Sequence, residues 1–216
     1  MIRVKICCIS SKEEAKLAIK FGASALGLVS EMPSGPGVIS EELISDIAIM
    51  TPPGVASFLL TSKLDAESII QQQRRTGVNT IQLCDKLEKG SYAALRKALP
   101  GISLVQVVHV QSPESVEEAI CIEPYINAIL LDSGNTSLPI KELGGTGKVH
   151  DWNLSAEIRS LVNVPVFLAG GLTPENVLLA IKKVKPFGVD ICNGVRTDGK
   201  LDITKLGKFF EQVEKY

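Results

Sequence analysis

The chain has 216 residues, of which 45% are hydrophobic and 22% charged, and its formal net charge at pH 7 is −1. This composition is typical of a globular domain large enough to bury a substantial core. The lack of excess positive charge argues against nucleic acid or a membrane surface as a partner. No segment resembles a transmembrane helix, and the first residues, MIRVKICCISSKEEAK, lack the apolar region of a signal peptide. We therefore expect a cytoplasmic protein.

The cysteines and histidines do not form a recognisable metal or disulfide pattern. There are five cysteines, an odd number with irregular spacing, and no Cys-x-x-Cys pair occurs. The two histidines are too few and too far apart along the chain to predict a metal site.

Short apolar runs rich in Val, Ile and Leu alternate along the chain with segments of helical period. In chain order the eight strand-like runs are VKICCI, ALGLV, VASFLLT, VNTIQL, SLVQVVHV, NAILLD, VPVFLAG and GVDICNG. Between them lie helix-like segments, several of which begin with a Ser, Thr or Asp cap, while others end at Gly22 and Gly77. Eight such units without a linker predict an α/β fold, a single-domain (β/α)8 TIM barrel over residues 1–216, rather than an open doubly wound sheet.

Glycine-rich segments follow the last three predicted strands. In a barrel of this kind, chemistry lies at the C-terminal ends of the strands, and the loops after the last two strands usually bind phosphate. Backbone N–H groups in glycine turns can approach an anion closely, although glycines can also serve only to shape a turn. The predicted phosphate-binding residues are Gly144, Gly145, Thr146, Gly147, Ala169, Gly170, Gly171, Asn193 and Gly194.

Six motifs together resemble the phosphoribosylanthranilate isomerase family of tryptophan biosynthesis. They are VKICCIS, GASALGLV, ILLDS, GGTGKVHDW, LAGGLTPENV and VDICNGV, in matching order over nearly the whole chain. The resemblance implies an aldose–ketose isomerase that performs an Amadori rearrangement on a small phosphorylated substrate. It implies no metal or organic cofactor, because the reaction needs only an acid, a base and a phosphate anchor. Barrels of this kind can be monomers or homodimers.

The resemblance assigns the general base to Cys7 and the general acid to Asp132. The acid protonates the ring oxygen of the sugar, which opens to a Schiff base, and the base then removes the C2′ proton. A cysteine acts as a base only as its thiolate, and Lys5, on the same strand face, is one source of the positive charge that this requires. Asp132 must stay protonated near neutral pH, which requires a raised pKa. The alternatives are a buried core thiol for Cys7 and a helix cap for Asp132.

The half of the site that would hold the aromatic acid departs from the family pattern. Cys8 replaces the glycine of the usual KICG motif, and the segment SEMPSGPGVIS after strand two lacks the usual arginine that helps to hold the anthranilate. Asp85 at the end of strand four would repel an anionic ring substituent. Gln106 stands where a lysine is common, and Arg196 stands where glutamate is frequent, so that Arg196 offers a positive charge or remains on the surface. The residues assigned to the rest of the substrate pocket are Lys5, Cys84, Gln106 and Arg196.

Three functions remain open from the sequence. The first is a phosphoribosylanthranilate isomerase with an unusual aromatic pocket. The second is a related isomerase that acts on a different phosphorylated sugar or aminosugar, and the third is a phosphate-binding barrel with little catalysis. The predicted acid and base favour an enzyme, whereas the missing arginine favours the other two.

Overall fold

The eight predicted strands form a closed parallel barrel whose spatial order follows the chain order. The structure is a computed structural model that describes residues 1–135, 137–145 and 147–216. The barrel strands are β1 (Arg3–Ile6), β2 (Ala25–Val29), β3 (Ala56–Thr61), β4 (Thr80–Leu83), β5 (Ser103–His109), β6 (Ala128–Asp132), β7 (Val166–Leu168) and β8 (Gly188–Ile191). A short antiparallel pair, β9 (Arg196–Thr197) and β10 (Lys200–Leu201), follows β8.

Helices cover the outside of the barrel, as the βα pattern predicts. They are α1 (Lys12–Lys20), α2 (Glu41–Met50), α3 (Ala66–Thr76), α4 (Tyr92–Ala98), α5 (Glu114–Ile122), α6 (Trp152–Leu161), α7 (Val177–Val184) and α8 (Ile203–Glu214), with 3-10 turns at Glu123–Tyr125 and Asn193–Val195. No helix in the described ranges is long and apolar enough to cross a membrane. The predicted (β/α)8 barrel is confirmed.

Local sequence signals account for most helix boundaries. Side chains accept hydrogen bonds from the first turn at the N-caps of six helices, and Gly77 ends α3 in the left-handed conformation at φ 66°. Two helices depart from the pattern: α5 and α7 begin without a side-chain cap, and α7 ends at Lys185 with φ 52° where a glycine is usual. The six capping residues are Ser11, Ser40, Asp65, Ser91, Asp151 and Asp202.

The alternation of side chains along each strand separates an outer core from the barrel interior. In β1, Val4 and Ile6 belong to the apolar layer between strands and helices, whereas Lys5 faces the interior. The interior is filled by a second cluster in which the rings of Phe58 and Phe167 meet edge to face, with centroids 5.9 Å apart. This interior packing forms the floor beneath the C-terminal ends of the strands.

We expect Asp65→Ala to lower the free energy of unfolding by about 1 kcal/mol, because Asp65 accepts hydrogen bonds from the Glu67 and Ser68 N–H groups at the start of α3. The matched control is Asp46→Ala, which removes an exposed carboxylate paired with Lys12 on the surface and should change stability by less than about 0.5 kcal/mol. Urea unfolding of both variants checks this, and equal losses would contradict a capping role for Asp65.

Candidate active site

A cavity of about 310 Å³ opens at the C-terminal ends of the barrel strands. It brings together both predicted catalytic residues and nearly all of the predicted phosphate-binding residues. Thr146 lies outside the described residues, and the other predicted residues that line the cavity are Cys7, Cys84, Asp132, Gly144, Gly145, Gly147, Ala169, Gly170, Gly171, Asn193 and Gly194.

Cys7 follows β1 and lies directly above a buried lysine. A β-carbon added at Gly27 of β2 would lie 2.8 Å from Cys7 Sγ and 3.0 Å from Lys5 Nζ, so both groups crowd the same point. Contact with the Cys8 thiol and the charge of Lys5 lower the pKa of Cys7 in spite of burial, which alone would raise it. The structure therefore supplies the thiolate-stabilising environment that a cysteine base needs.

Lys5 itself is fully buried beneath the cavity and does not line it. Its Nζ lies 2.9 Å from Asp190 Oδ2 of β8 and 5.3 Å from the centre of the Phe58 ring. Burial alone would lower the pKa of Lys5, but the facing Asp190 carboxylate and the Cys7 thiol raise it above its ordinary value. The lysine is therefore a permanent positive charge below the thiol.

Asp132 ends β6 with its side chain directed into the cavity. Its Oδ1 accepts a hydrogen bond of 2.7 Å from the Ser133 N–H, and a β-carbon at Gly144 would lie 2.7 Å from its Oδ2. Burial raises the pKa of Asp132, and the Ser133 N–H only partly opposes that effect. The next helix, α6, is capped by Asp151, so Asp132 is not a helix cap.

The three predicted glycine turns converge at one end of the cavity. Asn193 Nδ2 after β8 donates a hydrogen bond of 3.0 Å to the Gly145 carbonyl after β6. Gly171 has φ 60°, and a β-carbon there would lie 2.7 Å from the backbone of Lys148, so only glycine fits between these two loops. The N–H groups of Gly170 and Gly171 donate no hydrogen bond to any described residue. They are available to oxygen atoms of an anion.

A neutral histidine supports the turn after β7. His150 Nε2 lies 2.7 Å from Ser155 Oγ, and a β-carbon at Gly170 would lie 2.7 Å from His150 Nδ1. Burial lowers the pKa of His150 to about 4, so its ring carries no charge at neutral pH. His150 therefore supplies no positive charge to an anion at this turn, and the groups that could bind an anion there are the backbone amides of Gly170 and Gly171.

Part of the cavity wall is apolar, and the described lining residues of the cavity include no basic side chain. The apolar part includes Val29, Met32, Pro36, Leu60 and Leu143. The apolar walls suit a flat ring, whereas the missing cation agrees with the missing arginine in the loop after strand two.

Asp85 does not present an uncompensated charge to the cavity. Its carboxylate is paired with Lys141 of the loop after β6, with Nζ and Oδ2 2.5 Å apart. The prediction that Asp85 repels an anionic substituent therefore needs correction, because this contact between distant loops neutralises it. The sequence offered no local signal for the pair.

Gln106 and Arg196 do not line the cavity. The side chains of Leu104 and Val108 in β5 point out of the barrel toward the helices, and Gln106, two residues from each, points the same way. Gln106 accepts a hydrogen bond of 2.9 Å from the Tyr92 hydroxyl outside the barrel. Arg196 lies behind the turn after β1, where it pairs with Glu14 and donates hydrogen bonds to the carbonyls of Cys7 and Cys8. Its guanidinium therefore holds the backbone of the predicted base instead of touching a ligand.

Cys7, Cys8, Cys84 and Cys192 all line the cavity, and Cys8 and Cys84 are fully or almost fully buried. Cys8 has φ 60°, the left-handed conformation that explains why a glycine is usual at its position. Cys84 lines the cavity, and burial raises the pKa of its thiol to about 12. Cys84 is therefore a neutral wall residue rather than a second base.

Asp190 is a site residue that the sequence analysis missed. It lines the cavity, and its Oδ1 is buried without a hydrogen-bond partner among the described residues, while its Oδ2 binds Lys5. An acidic residue inside the apolar run GVDICNG was the available signal. Among the described residues, no group of three or more His, Cys, Asp or Glu side chains is arranged to hold a metal ion.

We expect Asp132→Asn to raise the melting temperature at pH 8 by about 2–4 °C, the shift that about 1 kcal/mol produces in a domain of this size. The reason is that burial penalises the carboxylate, whereas asparagine keeps the acceptor for the Ser133 N–H. Because the pKa of Asp132 is raised in the folded state, the folded wild type binds the proton of this carboxyl more readily than the unfolded chain does, and its stability rises as the pH falls. The difference in melting temperature between the variant and the wild type should therefore shrink toward pH 4. Differential scanning calorimetry at both pH values measures it.

The control for this experiment is Asp85→Asn, which removes a carboxylate that has a cationic partner. It should produce no gain in melting temperature at pH 8. A gain of equal size in both variants would indicate a general effect of removing negative charge rather than the burial of Asp132.

Comparisons with known proteins agree with this geometry. The family model described as N-(5′-phosphoribosyl)anthranilate (PRA) isomerase matches residues 4–212. The chain is 36% identical over 215 residues to N-(5′-phosphoribosyl)anthranilate isomerase 2 of Methanosarcina mazei, which covers 99% of this chain and 94% of the relative. It is similar to the crystal structure of phosphoribosyl anthranilate isomerase from Thermotoga maritima, with a TM-score of 0.82, 31% identity and full coverage of both chains.

A further solved structure shows a phosphoribosyl anthranilate isomerase in complex with reduced 1-(o-carboxyphenylamino)-1-deoxyribulose 5-phosphate. It matches with a TM-score of 0.79, 28% identity and full coverage of both chains. The match of the family model over nearly the whole length and the identity to curated relatives are sufficient to assign the family. This chain belongs to the phosphoribosylanthranilate isomerase family.

Proposed function

We propose that this protein isomerises N-(5′-phosphoribosyl)anthranilate to the corresponding aminodeoxyribulose phosphate, with Cys7 as general base and Asp132 as general acid. The observation that carries the proposal is the pairing of these two groups in one cavity. The pKa of the Cys7 thiol is lowered and that of the Asp132 carboxyl is raised, so their environments favour a base and an acid respectively.

The glycine turns give the substrate its orientation. The amides of Gly170 and Gly171, together with the turn at Asn193–Val195, form the anion-binding end of the cavity. A phosphate held there directs the sugar along the cavity between Cys7 and Asp132, and the aromatic ring then lies toward Met32 and Leu60. Bound in this way, the sugar spans both reacting groups.

The reaction follows from the two protonation states. Asp132 gives its proton to the ring oxygen, and the C1′–oxygen bond breaks to leave a protonated Schiff base. The Cys7 thiolate then takes the proton from C2′, and the electron pair of that C–H bond forms the enolamine, which tautomerises to the ketone. The Oδ1 of Asp190, which has no hydrogen-bond partner among the described residues, then accepts a hydrogen bond from a sugar hydroxyl.

We expect Cys7→Ala and Asp132→Asn each to reduce kcat by at least about 100-fold, the lower range for loss of a general acid or base. The substrate is generated in place, and its conversion is followed by the loss of anthranilate fluorescence. Cys121→Ala is the control, because Cys121 is an exposed cysteine on α5, away from the cavity; this variant should retain wild-type turnover.

Two outcomes would contradict the proposal. If Cys7→Ala or Asp132→Asn kept the kcat of the wild type, the replaced residue would not be the general base or the general acid. A folded wild type that binds inorganic phosphate but shows no turnover would instead support a phosphate-binding barrel with little catalysis.

One observation favours a second function, an isomerase for a different phosphorylated aminosugar. The described cavity lining holds no Lys, Arg or His near its apolar end, so a carboxylate on the ring has no charged partner there. One basic group close to the cavity wall is Lys141, whose carbonyl accepts a hydrogen bond of 2.7 Å from Ser34 Oγ and whose Nζ is paired with Asp85.

We expect replacement of phosphoribosylanthranilate by phosphoribosylaniline, which lacks the carboxylate, to change kcat/KM by less than about tenfold. A charged hydrogen bond to a cation contributes about 1.5–3 kcal/mol and would give a larger loss. Steady-state kinetics with both substrates in the wild type and in Lys141→Met measures the effect. If kcat/KM of the wild type were about 100-fold lower for phosphoribosylaniline than for phosphoribosylanthranilate, and Lys141→Met showed no such difference between the two substrates, Lys141 would leave Asp85 to bind the carboxylate.

A further inference from the structure

A buried ion pair lies behind the turn after β1, on the side of the turn that faces away from the cavity. Arg196, which is only 8% exposed, places its Nη1 3.0 Å from Glu14 Oε1 of α1. Its Nη2 donates hydrogen bonds of 3.2 Å to the Cys7 carbonyl and 2.5 Å to the Cys8 carbonyl. One planar cation therefore binds a carboxylate and two successive carbonyls, a set of acceptors that suits the fixed fork of an arginine better than the single ammonium of a lysine.

The carboxylate and the guanidinium are each held by further contacts. Glu14 Oε2 accepts a hydrogen bond of 3.0 Å from the Ser10 N–H, and its Oε1 accepts one of 2.9 Å from the Leu201 N–H of β10. Arg196 Nη1 donates a hydrogen bond of 2.9 Å to the Gly199 carbonyl. The guanidinium is therefore fixed in place, and the turn after β1 is bound to a firm support.

The turn that Arg196 supports contains an unfavourable backbone conformation. Cys8 has φ 60°, in the left-handed region that residues with a β-carbon rarely adopt. The two carbonyls that Arg196 binds belong to the peptide groups immediately before and after the Cα of Cys8. The guanidinium therefore restrains both φ and ψ of this residue.

The orientation of Cys7 depends on the same peptide groups. The Cys7 N–H donates a hydrogen bond of 2.8 Å to the Ile191 carbonyl of β8, and the Cys7 carbonyl is bound by Arg196. The peptide groups on both sides of Cys7 are thus held, and its sulfur is turned toward the point beside Gly27 where Lys5 Nζ also lies. Rotation of the peptide group between Cys7 and Cys8 would move the sulfur relative to the lysine.

We propose that Arg196 is a positioning residue for the general base, which holds the left-handed turn at Cys8 so that the Cys7 sulfur stays above Lys5. The inference rests on the proposed role of Cys7 in the isomerase reaction. Arg196 is not among the described residues that line the cavity, so it acts through the turn and not on the substrate. The charge of Lys5 helps to lower the pKa of Cys7, and a displaced thiolate would therefore bind its proton more tightly.

The variant that tests this role is Arg196→Lys. It keeps a cation beside Glu14, so the carboxylate retains a partner, but it loses the fork that binds both carbonyls. We expect kcat for phosphoribosylanthranilate to fall by at least about tenfold, because a small displacement of a reacting group is costly. KM should change by less than about twofold, since the substrate contacts remain. The acidic limb of the pH profile of kcat should move to higher pH, because the base is active only as its thiolate.

A second measurement does not depend on turnover. The rate at which iodoacetamide alkylates Cys7 is followed as a function of pH, and the modified sulfur is assigned by fragmentation of the peptide in a mass spectrometer. Because the thiolate is the reactive form, the midpoint of this profile should lie at higher pH in Arg196→Lys than in the wild type. Arg75→Met is the matched control, since it breaks another Arg–Glu pair, with Glu41, on the surface of α3; kcat and the alkylation profile should not change.

The left-handed conformation of Cys8 supplies a further test. In Cys8→Gly this conformation needs no support, because glycine adopts it readily. Arg196→Lys should therefore lower kcat by less than about threefold when it is made in the Cys8→Gly variant, so the two substitutions are not additive.

Three results would overturn the proposal. If Arg196→Lys kept the kcat and the alkylation midpoint of the wild type, the guanidinium would not position Cys7. A rise in KM at unchanged kcat would place its role at the phosphate end of the cavity. An equal loss of kcat with and without the Cys8 side chain would remove the link to the left-handed turn. If Cys7→Ala kept its turnover, the proposed base would be wrong, whereas the alkylation profile would still report whether Arg196 positions Cys7.

Discussion

The buried ion pair between Lys5 and Asp190 is the constraint on which the site depends. It joins β1 to β8, the strands that close the barrel, and Lys5 has no exposed surface. A buried charge without its partner costs several kcal/mol, so the pair requires the register that brings these two residues together. That register also fixes the turns that follow both strands. The charge of Lys5 is thus set directly below Cys7, where it helps to lower the pKa of the thiol.

The same arrangement gives two acidic groups opposite properties within one small cavity. Cys7 lies next to the cation and a second thiol, which favour the thiolate. Asp132 is held on β6, three strands away around the barrel, where burial dominates and favours the protonated acid. The contact with the Cys8 thiol together with the charge of Lys5 outweighs burial at Cys7, whereas burial outweighs the Ser133 N–H and the charge of Lys5 at Asp132. In the proposed reaction, the glycine turns after β7 and β8 decide which part of a substrate meets each group.

Apolar runs made the barrel predictable, and glycine turns made the candidate phosphate end of its mouth predictable, because strand ends in this fold converge. The candidate acid and base came from the resemblance to a family. Roles that depend on side-chain parity or on contacts between distant loops were not predictable. Gln106 faces outward because its neighbours in β5 fix the alternation, and Lys141 reaches Asp85 across 56 positions of sequence. Asp190 was hidden within an apolar run, and only the register with β1 shows that it belongs to the site.

The departures from the family pattern are connected in space. Cys8 occupies a left-handed position, and a β-carbon at Gly37 would lie 2.5 Å from Cys8 Cβ, so glycine is needed at position 37. Arg196 binds the carbonyls of Cys7 and Cys8 from behind and is neutralised by Glu14. The loop after β2 therefore packs closely over the turn after β1. Cys8, Gly37 and Arg196 therefore meet around this turn, and the guanidinium of Arg196 supports the backbone of the proposed base.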